Sequence, residues 1–330
     1  MWNRLKTLAV NSRISSFTSK LLHCGIGIYR YHSVQENPAD YENLIGPTII
    51  HSEEVFKRQI EFLATHYKIL SFNEGLSQIL GEKPSGKRSV MITFDDGFVD
   101  NFRVALPILK ALGVPAIFFV TAGAVESREP PWFCRVQNAF RSTKEKVWHD
   151  SLTGVKRPLT ENGDRSEALL AASRRIGVLT DGAQGEALAL LEKDLQVSWP
   201  TEKGSLMMTW EDVRKLVHDG YEVGSHSLSH PNLARVNDMD RLRAEIVTSK
   251  HIIEDKIQTE VRGFSYPNPI FQPHWDDTVL EFIRQSGYQL AFTSVSGMVR
   301  QKDNPYTLRR LWAPLSFQEF CWVAETACFR

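Results

Sequence analysis

The chain has 330 residues, 42% apolar and 24% charged, the composition of a soluble globular protein long enough for one large barrel or two average domains. Its 39 basic and 39 acidic residues cancel, so no basic excess points to nucleic acid or to an anionic membrane surface. The four cysteines, Cys24, Cys134, Cys321 and Cys328, include no C-x-x-C pair and are too scattered for a disulfide framework, so they read as free thiols.

At the amino terminus Arg4 and Lys6 precede Leu8-Ala9-Val10, but Asn11, Ser12 and Arg13 interrupt the run before it reaches the ~7–15 apolar residues of a signal-peptide core. Residues 1–22 read instead as an amphipathic helix with Trp2, Leu5, Leu8 and Ala9 on one stripe, packed on the barrel or resting on a membrane face. No stretch approaches the ~18 apolar residues of a membrane-spanning helix. The expected location is the cytoplasm, at most against the inner face of the membrane.

The first apolar-rich segment, residues 25–32, predicts a buried strand ending in His32. A helix pattern begins at Ser52, with Val55, Phe56, Ile60, Phe62 and Leu63 near a 3.6-residue period. A short strand over 67–72, a helix over 74–80 and a strand over 89–94 follow, the last running into Asp95-Asp96-Gly97. A helix over 101–112 is stopped by Gly113, and 114–121 is again a strand. Strand, helix and strand in alternation imply parallel strands with crossover helices. From about 126 to 205 the pattern changes to polar-faced helices, 166–176 and 184–195, read as an insertion. Alternation then resumes with a helix from Trp210, a strand over 221–225, a helix over 239–257, a strand over 263–266, a helix over 275–286 and a strand over 288–293. About seven such units predict one barrel spanning 23–330 rather than two domains.

In parallel α/β folds the chemistry gathers where strands end. Asp95 and Asp96 close one strand, and His226 and His230 follow another. Alone, Asp-Asp-Gly reads first as a turn, and H-x-x-x-H reads equally as two loop histidines. Together, two imidazoles and one carboxylate form a metal-binding set with open positions for water, and Asp96 in that set leaves Asp95 as a base.

These residues carry a resemblance. Thr93-Phe94-Asp95-Asp96-Gly97 is similar to the first motif of the polysaccharide deacetylases (carbohydrate esterase family 4), and His226-Ser227-Leu228-Ser229-His230 resembles their second, H-[ST]-x-x-H. Tyr31-His32, Phe264-Ser265-Tyr266-Pro267, Gly287-Tyr288, Ala291-Phe292-Thr293 and Leu308-Arg309-Arg310 resemble the branch whose third motif reads F-x-Y-P. The resemblance extends from about Tyr29 to Pro314. It implies a distorted (β/α)7-type barrel and one divalent metal, usually zinc, bound by Asp96, His226 and His230, with Asp95 as general base. It also implies hydrolysis of an N-acetyl group on an amino sugar of a glycan or glycan precursor.

Three departures stand out. The arginine that braces the base in many members is absent from the third motif, and Arg310 is the candidate replacement. Pro269 stands where the branch usually has Gly. The late histidine that serves as general acid is missing after Leu308, leaving His32 as the preferred donor and His274 as the second candidate. Trp132, opening the insertion, and Tyr266 are candidate substrate contacts. These losses also keep open a catalytically weak glycan-binding or scaffold role, and the motifs alone admit a deacylase of a non-sugar amide.

Overall fold

The computed structural model describes residues 25–82, 88–179, 181–267 and 275–327. The N-terminal helix expected over 1–22 and the candidate His274 lie outside the described residues.

Seven parallel strands close into a barrel in the order β1 (Ile26–Tyr31), β12 (Leu308–Trp312), β11 (Leu290–Ser296), β10 (Gly263–Ser265), β9 (Glu222–Ser225), β6 (Ile117–Val120) and β5 (Ser89–Phe94), with β5 pairing back onto β1. The closure is uneven. One edge of β5 pairs with β1 along its whole length, while the other meets β4 (Lys68–Ile69) at its start and β6 at its end. The expected distorted (β/α)7 barrel is the observed one.

Strand alternation sorts the side chains. Ile26, Ile28, Met91, Ile117, Phe119, Leu290, Phe292 and Leu308 form the apolar filling of the barrel. The helix Phe72–Leu80 plugs its amino end, bringing Phe72 and Ile79 into that filling. Tyr29, Tyr31, Val90, Ile92, Phe94, Phe118 and Val120 face outward and pack beneath the surrounding helices. Toward the carboxyl ends of the strands the inward positions turn polar: Arg30, Thr93, Asp95, Ser265 and Arg310 continue the phases set by the apolar residues below. This switch along the axis gives the fold a hydrophobic floor and a charged mouth.

Several boundaries differ from the expectations. The strand over 67–72 shrinks to Lys68–Ile69, because Ser71 caps the next helix through a reciprocal pair of hydrogen bonds with Glu74. The helices over 101–112 and 239–257 each contain a π-helical turn, Asn101–Ala105 and Ala244–Thr248. Two short parallel strands, β2 (Ser33–Gln35) and β3 (Ile50–Ser52), were not expected. They follow His32, and the buried carboxylate of Asp100 fixes them, accepting hydrogen bonds from Val34 N (2.9 Å), Ser33 Oγ (2.7 Å) and Gln35 Nε2 (2.7 Å).

Between β6 and β9 the chain builds helices Trp132–Ser142, Asn162–Ile176 and Asp181–Asp194 and the hairpin of β7 (Val147–His149) and β8 (Lys156–Pro158). They enclose a hydrophobic cluster of their own around Trp132, Phe140, Trp148, Ile176 and Leu191. Among the described cysteines, Cys134 and Cys321 are buried free thiols.

Candidate active site

Asp95 and Asp96 leave β5 where its extended backbone ends. Asp96 adopts a left-handed conformation (φ 79°), as does the following Gly97 (φ 87°). A Cβ on Gly97 would also crowd Val120, so the turn is suited to glycine. Reversing the backbone at Asp96 lets consecutive carboxylates, which a regular strand would send to opposite faces, share one cavity. Ser227 (φ 65°) and His230 (φ 61°) take the same conformation in the loop after β9. Clustered left-handed non-glycine residues cost of order 1–3 kcal/mol each and mark sites where function holds the backbone.

The loop that carries the histidines is tied down at every turn. His226 N donates to Val120 O (2.9 Å), Ser227 N to Ser225 Oγ (3.2 Å) and His230 N to Ser227 Oγ (3.0 Å). Glu245, fully buried in the π-helical turn, accepts from Leu228 N (3.0 Å), Ser229 N (2.9 Å) and Ser229 Oγ (2.6 Å), and pairs with Arg241 (2.8 Å). From the insertion, Trp132 Nε1 donates to His230 O (3.1 Å), and the Phe133 ring lies 4.8 Å from the imidazole of His230.

The result is a convergent set. Nε2 of His226 and of His230 lie 3.4 and 3.5 Å from the same oxygen, Oδ1 of Asp96. One ligand atom from each of the three buried residues falls within 4.8 Å of the others. His226 Nδ1 is 2.7 Å from Ser265 O, so that nitrogen carries the proton and Nε2 turns its lone pair toward Asp96. Burial lowers the pKa of His230 to about 4, which keeps it neutral at physiological pH.

Beside this set Arg310 grips Asp95 with both arms, Nη1 to Oδ1 at 2.8 Å and Nη2 to Oδ2 at 2.7 Å. Its remaining donors reach Thr293 O (2.8 Å), Thr93 Oγ1 (3.2 Å) and Ser265 Oγ (3.0 Å). Burial alone would raise the pKa of Asp95. The guanidinium of Arg310 and the neighbouring His226 outweigh it and hold the carboxyl well below the usual carboxylate range. Asp96 is lowered too, against its burial, by the nearby imidazoles of His226, His32 and His230.

His32 sits half-buried at the mouth, its ring 6.2 Å from that of Trp312, and burial pulls its pKa down to about 4. It is therefore neutral in the resting site. Two expected substrate contacts need correction. Trp132 is 4% exposed, its ring packed inside the insertion against Phe133 and its N–H committed to His230 O, so no ring face is open to a sugar. Tyr266 is 1% exposed, sandwiched with Phe264 and Trp275, and its hydroxyl donates to Tyr306 O (3.0 Å). Its backbone N–H donates to Phe292 O (3.0 Å). Both residues shape the site from behind. The sequence reading missed Glu245, a glutamate inside a helix pattern whose partner loop only the fold reveals. It also missed Arg30 and Trp312, whose inward phase at the mouth follows once β1 and β12 are paired.

A model of the polysaccharide deacetylase family matches residues 82–291, the stretch that holds both motifs, and the chain belongs to that family. YxkH of Bacillus subtilis (strain 168), which bears a polysaccharide deacetylase name, is 19% identical over 285 residues, 86% of this chain and 70% of that protein. Among solved structures, Streptococcus pyogenes deacetylase PplD in complex with acetate superposes with a TM-score of 0.60 at 17% identity, covering 92% of this chain and 98% of the other. IcaB from Ammonifex degensii follows at 0.58 and 18%, over 92% and 97%. At these identities the structures attest the barrel fold. No described helix is long and apolar enough to cross a membrane.

Proposed function

We propose that the chain is a metal-dependent hydrolase that removes the N-acetyl group from an amino sugar of a glycan or, in the cytoplasm, a glycan precursor. The observation that carries this reading is the pairing of two functions at one mouth. Asp96, His226 and His230 bring three ligand atoms within 4.8 Å of one another, while Asp95 beside them is held by Arg310.

The donor set fits a divalent cation, with zinc the first choice for two imidazoles and a carboxylate. Both Nε2 atoms face one oxygen of Asp96, the Ser265 carbonyl fixes the tautomer of His226, and burial keeps His230 unprotonated. An ion bound there supplies Lewis-acid polarisation of the acyl carbonyl and makes water a better proton donor.

The remaining work belongs to the protein. Asp95, kept ionised by Arg310, accepts a proton as the water oxygen bonds to the acyl carbon. Negative charge then develops on the former carbonyl oxygen. A negative charge arriving near a buried imidazole raises its pKa, so His32, neutral at rest, takes up through solvent the proton that Asp95 accepted and passes it to the amide nitrogen, leaving Asp95 ionised again. The C–N bond breaks, and acetate and a free amine leave. The test is acetate and amine release from a panel of N-acetylated sugars, together with metal analysis of the purified protein. Release from N-acetylated peptides but from no sugar would sink the substrate assignment.

A further inference from the structure

The catalytic mouth holds a second guanidinium that the deacetylation chemistry does not use. On β1, Ile26 and Ile28 enter the apolar filling while Tyr29 and Tyr31 face outward, so the alternation sends Arg30 and His32 into the mouth. The register agrees. Arg30 lies beside Thr93 of β5 and Trp312 of β12, and the Thr93 hydroxyl already receives Arg310 from inside the barrel. The Arg30 guanidinium carbon stands 5.6 Å from the centre of the Trp312 ring, and the charges of Arg310, Asp95 and Asp96 all act on it. Among the described residues, Arg30, His32 and Trp312 are each only half-buried.

What sets Arg30 apart is its lack of an acceptor. Arg310 directs five hydrogen bonds at named oxygens. Among the described residues Arg30 makes no ion pair and no side-chain hydrogen bond, and its buried Nε has no partner. The acids at the mouth are engaged elsewhere, Asp95 by Arg310 and Asp96 by the two histidines. Withdrawing a guanidinium from water without an acceptor is unfavourable, and the Trp312 face offsets only part of that cost while holding the fork in place. The two guanidiniums and two carboxylates cancel, so a divalent cation in the site leaves surplus positive charge at the mouth.

We propose that Arg30 receives an oxyanion of the substrate, which narrows the deacetylase reading to N-acylated sugars bearing a phosphate or a carboxylate near the scissile amide. The inference rests on that reading for its chemistry and on Arg30 for its specificity. A planar fork with two parallel N–H groups matches either anion in bidentate fashion and keeps its charge throughout the working pH range.

The experiment compares N-acetylglucosamine, N-acetylglucosamine 1-phosphate and N-acetylglucosaminuronic acid as substrates of the metal-loaded wild type, Arg30→Met and Arg30→Lys. The quantity read is the ratio of kcat/KM for each charged sugar to that for the neutral one. The wild-type ratio should exceed ~10 for at least one anion, identifying phosphate or carboxylate as the source. Arg30→Met should bring it to within about threefold of unity, and Arg30→Lys, which keeps charge but not the fork, should fall between. A wild-type ratio near one, or an Arg30→Met variant that keeps the wild-type ratio, overturns the proposal. If no sugar is hydrolysed, the deacetylase reading fails first. Calorimetric binding of the same three sugars then decides Arg30 alone: equal affinity of wild type and Arg30→Met for the anions overturns it, and a loss of ~10-fold or more confined to the anions supports it.

Discussion

Arg310, on the last barrel strand, clamps both oxygens of Asp95, 215 residues earlier at the end of β5, and the two side chains are almost wholly buried. The clamp joins the ends of β5 and β12 and decides the protonation of the proposed base. Burial pushes Asp95 upward in pKa, and Arg310 with His226 pulls it far down. With the guanidinium removed, burial is left less opposed, so the pKa of Asp95 rises and the ionised form is lost at a higher pH. Arg310→Met should therefore shift the acidic limb of the kcat/KM profile to higher pH and lower the rate near neutrality by ~10-fold or more, with metal content kept. A profile superimposable on wild type after scaling would show that Arg310 does not set the ionisation of Asp95.

The metal assignment separates ligand from base. His226→Ala and His230→Ala should each lose most of the bound metal, because each removes one of three converging donors. Asp95→Asn removes a proton acceptor and no ligand, so it should retain metal while losing ~10²-fold or more in kcat. Elemental analysis of the three variants, set beside their rates, checks both halves. Metal retained in both histidine variants would end the assignment.

Glu245 offers a sharper test of how the site is held. Its carboxylate receives three hydrogen bonds from Leu228 and Ser229, in the loop that delivers His230. Glu245→Gln replaces one acceptor oxygen by an amide donor facing N–H and O–H groups. The loop should loosen, and metal affinity measured by chelator competition should fall by ~10–100-fold, the usual effect of losing a group that supports a ligand. Unchanged affinity would mean that Ser225 and Ser227 hold the loop unaided.

How much of this could be read from the sequence depends on which interactions are local. The alternation of strands and helices is local, and it placed Asp95, Asp96, His226 and His230 at strand ends, where the structure has them. β12 escaped because Arg309 and Arg310 interrupt the apolar run of Leu308, Leu311 and Trp312. An arginine inside a barrel strand is intelligible only once Asp95 is known to face it. The helix Phe317–Thr326 was missed with it, having no following strand to mark it as a unit. Trp132 and Tyr266 show the opposite limit. Aromatic identity and position suggested sugar contacts, yet ring exposure is a tertiary property: Trp132 is enclosed in the insertion's own cluster, and Tyr266 lies against Trp275 with its hydroxyl on Tyr306 O.

Acid should destabilise the fold in a specific window. Burial lowers the pKa of His51 to about 4, its Nε2 lying 3.0 Å from Ala313 O and its ring against Tyr31. In the unfolded chain the same imidazole titrates near ~6.5. Between those values the unfolded state binds a proton that the folded state refuses. The stability contributed by His51 is thus complete above pH ~6.5 and declines as pH falls toward 4, by up to ~1.4 kcal/mol per pH unit. His51→Gln, which retains an N–H for Ala313 O, should flatten the dependence of the urea-unfolding free energy between pH 7 and pH 5 by about one proton. The same slope in variant and wild type would show that His51 titrates normally in the folded protein.

His32 carries the last prediction, because the proton destined for the leaving amine has no late histidine to travel through. The resting imidazole is neutral: burial and the nearby Arg30 and Arg310 disfavour its charge, while Asp96 and Asp95 favour it, and the balance leaves the pKa at about 4. Such a group holds no spare proton before the reaction begins and can carry one only as negative charge accumulates on the acyl oxygen. Its contribution should then be felt in the transition state and not in substrate binding. His32→Ala is expected to lower kcat by ~10²-fold or more, with KM nearly unchanged and metal content intact. His32→Gln can donate a hydrogen bond but cannot carry a proton. If it matched His32→Ala, proton transfer would be the missing function, and if it restored most of the rate, His32 would serve by hydrogen bonding alone. Wild-type kcat in both variants would remove His32 from the reaction and direct attention to His274.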